Sequence, residues 1–189
     1  MIEALPRRKP LRLGSYDYSQ AGVYFVTICT RGRNCILGKI RPDRTWIPSE
    51  LGALAGEELA QIPVHRPNVT ILHSVVMPNH VHILLQIHPA SSDGGRGTTC
   101  RARLSGEGSF GSLLQDSLST IIGAYKAAVT RRWRQMTATT SRGPTPKPIP
   151  VWQTRYHDHV VRNDADYLRI WNYIDTNPAQ WAEDQYYIP

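Results

Sequence analysis

The sequence contains little cysteine and no long apolar run. Cys29, Cys35 and Cys100 are an odd set without C-x-x-C spacing, so the pattern indicates neither a disulfide framework nor a cysteine-based zinc site. The longest apolar stretches have the length of a strand, far below the roughly 20 residues that a membrane-spanning helix needs. No apolar segment follows the basic residues near the N-terminus. We therefore expect a protein of the reducing cytoplasm without an export or membrane segment.

Positive charge, by contrast, is in excess. The chain has 22 Lys and Arg against 15 Asp and Glu, a formal net charge of +7 over 189 residues. Such a balance favours a polyanionic partner, because cations that contact phosphates release bound counterions. We expect nucleic acid as the partner and association with the nucleoid. The apolar content of 41% suffices for one core, so we predict a single domain over 1–189.

The first residues, 1–15, are interpreted as a basic N-terminal arm. They could follow a phosphate backbone while a nearby tyrosine stacks on a base, although a solvated tail explains the same composition. The cations of the arm are Arg7, Arg8, Lys9 and Arg12, and the tyrosines beside it are Tyr16 and Tyr18.

The apolar periodicity predicts a mixed sequence of strands and helices. In chain order the pattern predicts a strand at 23–30, a helix at 51–61 capped by Ser49 and ending before Pro63, strands at 69–76 and 80–87, a helix at 112–136, a short strand at 157–162, and a helix that starts at Asn163 or Asp164 and ends before Pro178. Ser, Gly, Thr and Arg dominate a predicted flexible loop at 89–111, and a Pro/Thr linker follows at 137–150. This order predicts an α+β fold, a ferredoxin-like or RRM-like antiparallel sheet with helices packed on it.

Two histidine pairs have the spacing of a metal site. Side chains two apart on a strand point the same way, so His80 and His82 converge, and so do His157 and His159. Neutral imidazoles bind divalent metals. Spacing alone does not choose between the pairs, and hydrogen-bonded structural histidines remain an alternative. The first pair opens an apolar strand directly after a Pro-Asn turn, which favours it as the metal site.

Four ordered blocks resemble the REP-associated tyrosine transposases, which are single-tyrosine transposases among the His-hydrophobic-His (HUH) nucleases. The stretch from Val75 to Leu85, which contains the first histidine pair, is similar to their metal-binding strand. The other blocks are Tyr16 to Tyr18 with Gly22 to Thr27, Val151 to Gln153 with Tyr156 to Arg162, and Tyr173 to Pro178. The resemblance covers most of the chain apart from the predicted loop and linker.

The resemblance implies an enzyme that cleaves and rejoins single-stranded DNA. It implies the HUH nuclease fold, with Tyr173 as the nucleophile that forms a 5′-phosphotyrosine. Asn177 resembles the family's third metal ligand, beside His80 and His82, and the metal would be Mg²⁺ or Mn²⁺. Residues four apart share one face of a helix, so one helix can supply both Tyr173 and Asn177.

Single-stranded or hairpin DNA is the partner that this resemblance implies, and the sequence leaves a monomer and a homodimer both open. Further candidate DNA contacts are Lys126, Arg131, His159 and Arg162, although cations late in a helix also favour its dipole. Two rival functions remain. One is a nucleic-acid-binding module without catalysis that stacks bases on Tyr24 and Phe25. The other is a host-adapted relative that binds or nicks repeated palindromic DNA without mobilising it.

Overall fold

The structure, a computed structural model, describes residues 17–89, 117–138 and 150–188. It confirms the predicted α+β fold with an antiparallel sheet and helices packed on it. The strands are β1 (Gly22–Cys29), β2 (Gly38–Ile40), β3 (Trp46–Pro48), β4 (Val69–Val76), β5 (His80–Ile87) and β6 (His157–Val161), and the helices are α1 (Glu50–His65), α2 (Leu118–Ala138) and α3 (Asp164–Thr176). Within the described residues, no helix is long and apolar enough to cross a membrane.

The main sheet has four antiparallel strands in the order β4-β5-β1-β6. The central strands β1 and β5 are covered on both faces, which explains why their sequences are almost continuously apolar. Strand alternation sends Val81, Ile83 and Leu85 into the main core. His80, His82 and Leu84 therefore lie on the opposite face of β5.

Helices α1 and α2 cover the face of the main core. Ser49 begins α1 as predicted, because its Oγ accepts a hydrogen bond from the Gly52 backbone N–H at 3.1 Å. Gly52 is required by a close approach of two backbones, since a Cβ there would lie 1.8 Å from the Leu37 carbonyl oxygen. This contact fixes the start of α1 against the loop that precedes β2.

Helix α3 covers the other face of the sheet, where it contacts β4 and β5. Ile170 and Ile174 pack on Leu84 in a second cluster. Asn163 caps the helix, with its Oδ1 accepting from the Asp166 backbone N–H at 2.9 Å, which confirms the predicted start. The face of α3 beside this cluster is thereby held above the histidines of β5.

Several predicted boundaries were wrong. Helix α1 does not end before Pro63 but continues to His65, because buried Ile62 holds the last turn on the core and its carbonyl accepts from the Arg66 N–H at 2.9 Å. Helix α2 begins at Leu118, because Ser117 precedes it as a non-helical residue whose carbonyl accepts from the Ile121 N–H at 3.1 Å; the predicted helical residues 112–116 lie outside the described residues. It ends at Ala138, two residues into the predicted linker. The hairpin of β2 and β3 was not predicted.

Parts of the sequence interpretation lie outside the described residues. These parts are the basic arm at 1–15 with Tyr16, the predicted loop from 90 to 111, and the linker from 139 to 149.

Candidate active site

The first histidine pair lies in the central strand β5, on the face that α3 covers. His80 and His82 have no exposed surface, and their Nε2 atoms lie 2.9 Å apart. Strand alternation alone explains why the two rings share a face, as the sequence predicted. Their convergence brings two imidazole nitrogens to one point.

Each histidine ring has a hydrogen-bond partner at Nδ1, the ring nitrogen that does not face the other histidine. The Nδ1 of His80 lies 2.8 Å from Asn79 Oδ1, and the Nδ1 of His82 lies 2.9 Å from Thr27 Oγ1 on β1. Hydrogen bonds of this kind orient metal-binding imidazoles. Thr27 is opposite His82 in the register of β1 and β5, so the sheet itself supplies the second partner.

Burial keeps both imidazoles uncharged at neutral pH. Desolvation lowers the pKa of His80 to about 4, against a partial opposing effect of Asp184. Desolvation, together with neighbouring His80, lowers the pKa of His82 well below its ordinary value. An uncharged imidazole has the free lone pair that a metal requires.

Asp184 adds a carboxylate to this pair. One ligand atom from each of His80, His82 and Asp184 lies within 4.8 Å of the others. The Asp184 Oδ1 accepts from the Tyr186 backbone N–H at 2.6 Å, which fixes the side chain in the C-terminal segment 177–188. Two imidazoles and one carboxylate are a donor set suited to a divalent cation.

Tyr173 is in the last turns of α3 and reaches the same cluster. Its hydroxyl donates to Asp184 Oδ2 at 3.0 Å, and its ring lies edge-on to Phe25 and His82, with centroids 6.1 and 5.1 Å away. Burial and the Asp184 carboxylate raise the pKa of Tyr173 above its ordinary value. The hydroxyl therefore remains protonated at neutral pH unless a base or a cation assists.

Asn177 follows α3 one turn after Tyr173 and is 2% exposed. Its Nδ2 donates to Asp184 Oδ2 at 2.6 Å, while its Oδ1 is buried without a hydrogen-bond partner. A buried carbonyl oxygen with no partner is costly unless something binds it. A divalent metal fits these residues, because it would bind this oxygen as well as the nitrogen lone pairs of the histidines.

Two aromatic rings of the C-terminal segment pack beside the His80 ring. The Tyr186 ring centroid lies 4.6 Å from that of His80, and the Trp181 centroid lies 5.9 Å from it. The sequence interpretation did not include Asp184, Trp181 or Tyr186. No periodic signal marks them, because the segment is irregular and its place depends on contacts distant in sequence.

The second histidine pair is on the same face of the sheet but at its edge. His157 is opposite Thr27 and His159 is opposite Phe25 in the register of β1 and β6. Both rings are exposed. His159 Nε2 lies 2.6 Å from Asp166 Oδ2, at the start of α3. In the described part of the chain, the group of potential metal ligands does not include this pair.

The remaining candidate DNA contacts have different surroundings. Lys126 is half-buried and donates to the carbonyls of Gln153 and Thr154, so it ties α2 to the segment before β6. Arg131 and Arg162 are exposed. Tyr18 packs against the main core. The four cations of the arm and Tyr16 lie outside the described residues.

The stacking residues of the non-catalytic alternative also differ from each other. Tyr24 is fully buried in the main core, and its hydroxyl donates to the Gln20 carbonyl at 2.7 Å. Phe25 is half-buried beside Tyr173. Tyr24 thus offers no surface on which a base could stack.

This chain is 30% identical over 181 residues to a protein described as an uncharacterized protein of Haemophilus influenzae (strain ATCC 51907 / DSM 11121 / KW20 / Rd). The match covers 96% of this chain and 93% of that protein. No protein-family model matches the sequence. Among solved structures, a REP-associated tyrosine transposase bound to a REP hairpin is similar to this chain. The TM-score is 0.53 at 18% identity, and the match covers 97% of this chain and 77% of that chain.

This likeness confirms the predicted fold, an antiparallel sheet with helices packed on it that is similar to the fold of a REP-associated tyrosine transposase. The chain therefore belongs to one family with the Haemophilus influenzae protein and has the fold of the REP-associated tyrosine transposases.

Proposed function

We propose that this chain is a metal-dependent endonuclease and strand transferase for single-stranded DNA, a transposase that acts as one domain over 1–189. The observation that carries the proposal is the meeting of Tyr173, Asp184 and the first histidine pair. The Tyr173 hydroxyl is 3.0 Å from Asp184, whose carboxylate belongs to a group with both buried imidazoles. A tyrosine nucleophile beside a potential metal site is an arrangement suited to phosphodiester cleavage through a covalent intermediate.

We propose hairpin or palindromic repeat DNA as the substrate. The similar transposase is bound to a REP hairpin, and the net charge of +7 favours a nucleic-acid partner. Arg131 and Arg162 are exposed and free to contact phosphates. The basic arm, with Arg7, Arg8, Lys9 and Arg12, would add further phosphate contacts.

The proposed chemistry assigns a role to each residue of the cluster. A bound Mg²⁺ or Mn²⁺ would polarise the scissile phosphate and stabilise negative charge in the transition state. His80 and His82 would hold it with Asp184, Asn177 or both. The oxygen of Tyr173 attacks phosphorus as its proton passes to Asp184 or to solvent. The bond from phosphorus to the 3′-oxygen breaks, and that oxygen takes up a proton to leave as a free 3′-hydroxyl. The 5′-phosphotyrosine keeps the energy of the broken ester, so a second DNA end can be joined without ATP.

The direct test is a covalent adduct. The purified full-length protein is incubated with labelled single-stranded hairpin DNA and Mn²⁺, and a denaturing gel is searched for a protein–DNA species. We expect this species from the wild type, none from Tyr173→Phe, and DNA binding within a few-fold of wild type, because only one hydroxyl is removed.

Tyr167→Phe is the matched control. Tyr167 is on the same helix, but its ring packs beside Trp171 and not beside His82 as the ring of Tyr173 does. It should form the adduct at the wild-type yield. If Tyr173→Phe forms the protein–DNA adduct at the wild-type yield, Tyr173 is not the nucleophile, and Tyr167 and Tyr156 are the next candidates. Binding without any adduct from the wild type would favour the non-catalytic module, and cleavage without joining of a second end would favour the host-adapted relative.

A further inference from the structure

Asn79 is a fully buried amide in the turn between β4 and β5, directly before the first histidine pair. Its Nδ2 donates to the carbonyl of Arg33 at 3.1 Å and to the carbonyl of Tyr186 at 2.8 Å. Its Oδ1 faces His80 Nδ1 at 2.8 Å. Exchanging the two ends of the amide would set its oxygen against two carbonyl oxygens, so the hydrogen bonds define its orientation.

The orientation of Asn79 determines where His80 carries its hydrogen. An amide oxygen accepts hydrogen bonds and cannot donate one, so Nδ1 of His80 must be the donor. A neutral imidazole has one N–H, and the Nε2 of His80 is therefore left with a free lone pair. That lone pair is directed at His82, whose Nε2 is 2.9 Å away.

His82 has a partner of a different kind. Thr27 Oγ1, 2.9 Å from His82 Nδ1, is a hydroxyl that can donate or accept. In the metal-free protein the two Nε2 atoms are 2.9 Å apart, so one of them must carry a hydrogen and donate it to the other. The Nε2 of His80 carries no hydrogen, because the hydrogen of that ring is on Nδ1. His82 then carries its hydrogen on Nε2, and the Thr27 hydroxyl donates to Nδ1.

We propose that Asn79 is a positioning residue that holds His80 permanently as an Nε2 ligand, while Thr27 lets His82 exchange its tautomer when a metal binds. This proposal rests on the metal-dependent function proposed above. In the exchange, His82 loses a proton from Nε2 and gains one at Nδ1, and the new N–H donates to Thr27. The ring stays neutral and no net proton is released.

The same amide also ties the ligands to the C-terminal segment. Its hydrogen bond to the Tyr186 carbonyl holds the chain two residues beyond Asp184. Asn79 thus joins the histidine strand to the segment that carries Asp184, and it also contacts the short 3-10 turn at Arg33. Removal of this amide should therefore disturb metal binding more than removal of an equally buried polar group that touches none of the ligands.

The tautomers are measured directly by long-range ¹H–¹⁵N NMR of histidine side chains in the full-length protein. Without metal, we expect the Nδ1–H form for His80 and the Nε2–H form for His82. With Zn²⁺ as a diamagnetic probe, His82 should change to the Nδ1–H form while His80 remains as it was. An Nε2–H form of His80 in the metal-free protein would overturn the proposal, as would a His82 that keeps one tautomer in both states.

Variants separate the acceptor of Asn79 from its donors. Asn79→Ala should weaken Mn²⁺ binding roughly 10–100-fold, the usual effect of removing a group that orients a ligand. Asn79→Asp keeps an acceptor for His80 but loses both donors, so we expect the same His80 tautomer and a loss of Mn²⁺ binding smaller than that of Asn79→Ala. Its melting temperature should fall, because a carboxylate would face the two carbonyls.

Thr30→Val is the matched control. Thr30 is as buried as Asn79, and its hydroxyl donates to the backbone carbonyl of Asn79 without touching a histidine. It should lower the melting temperature and leave the Mn²⁺ midpoint unchanged. Equal Mn²⁺ binding by folded Asn79→Ala and wild type would refute the role of Asn79. If the wild type binds neither Mn²⁺ nor Zn²⁺, the proposed metal site is refuted instead. The tautomer of His80 in the metal-free protein then still tests whether Asn79 orients that ring.

Discussion

The two histidine pairs have the same spacing and lie on the same face of one sheet, yet their surroundings differ. His80 and His82 are in a central strand beneath α3 and the C-terminal segment, and they have no exposed surface. His157 and His159 are in the edge strand β6 and are exposed. The H-x-H spacing therefore places two imidazoles on one face of a strand in both places, but only the central pair is shielded from water and joined by a carboxylate that also contacts the candidate nucleophile.

The carboxylate beside each pair makes the contrast sharper. Asp184 approaches both imidazoles of the central pair and accepts from Tyr173. Asp166 accepts from His159 and also pairs with Arg169 at 2.6 Å. The first carboxylate thus shares a cluster with a reactive hydroxyl, whereas the second belongs to a surface ion pair near the start of α3. Surface pairs of this kind contribute little to stability.

The largest expected effect comes from replacing the histidines themselves. His80→Ala and His82→Ala should each abolish cleavage at ordinary Mn²⁺ and weaken Mn²⁺ binding by more than about 100-fold, because removing a ligand has a larger effect than removing its supporting group. His157→Ala and His159→Ala should lower activity at most and leave the Mn²⁺ midpoint in place. Titration of Mn²⁺ by electron paramagnetic resonance gives the four midpoints. A shift for the edge pair alone would reverse the assignment.

Asp184→Asn and Asp166→Asn compare the two carboxylates. The first removes a negative charge from the ligand group and should raise the Mn²⁺ midpoint about tenfold or more. The second changes a carboxylate outside that group and should leave the midpoint within a few-fold. If both variants bind Mn²⁺ as the wild type does, Asn177 and not Asp184 completes the ligand set, and Asn177→Ala should then weaken Mn²⁺ binding.

How much of this contrast the sequence could predict depends on the range of the contacts involved. Strand periodicity places His80 with His82, and helix caps place Ser49 and Asn163, because these features depend on neighbouring residues. The partnership of Thr27 with His82 and His157 depends on the strand order β5-β1-β6, which periodicity does not specify. Sequence alone could therefore say that each pair shares a face, but not that both pairs share the same one.

Asp184 shows the same limit in an irregular segment. It follows Tyr173 by 11 residues, and its segment contacts the start of β5 through the hydrogen bond between Asn79 and the Tyr186 carbonyl, which are 107 residues apart. No spacing rule reaches across that separation. Asn177 was named through the family resemblance, with which its place one helical turn after Tyr173 is consistent, and the structure leaves its Oδ1 without a partner.

A smaller effect should distinguish DNA contact from metal binding on the edge strand. Arg162 is exposed and follows β6 directly. If it contacts a phosphate, Arg162→Ala should reduce the slope of log binding constant against log salt by about 0.7, the value for one contact to a single strand. Fluorescence anisotropy with hairpin DNA in EDTA measures this slope without cleavage. An unchanged slope would assign Arg162 to solvent.

The basic arm should have a larger effect on the same salt dependence, because it carries four cations. Replacing Arg7, Arg8, Lys9 and Arg12 together should flatten the slope by about 0.7 for each phosphate that the arm neutralises in the wild type. The Mn²⁺ midpoint should not move in this variant. A slope equal to that of the wild type would show that the arm does not touch the DNA.

The smallest effect concerns the surface ion pair of the edge strand. The hydrogen bond from His159 is the largest cause that lowers the pKa of Asp166, and the hydrogen bond from Arg169 is the next. His159→Ala should therefore raise the pKa of Asp166 toward its ordinary value by more than Arg169→Ala does, as followed by carboxyl ¹³C NMR. Because the folded-state pKa is lowered, the interaction stabilises the fold above the ordinary pKa of Asp and disappears as the pH falls through the lowered value. Asp166 titrating identically in His159→Ala and in the wild type would mean that the 2.6 Å approach of His159 to Asp166 has no electrostatic role, and His159 would then be free to contact DNA.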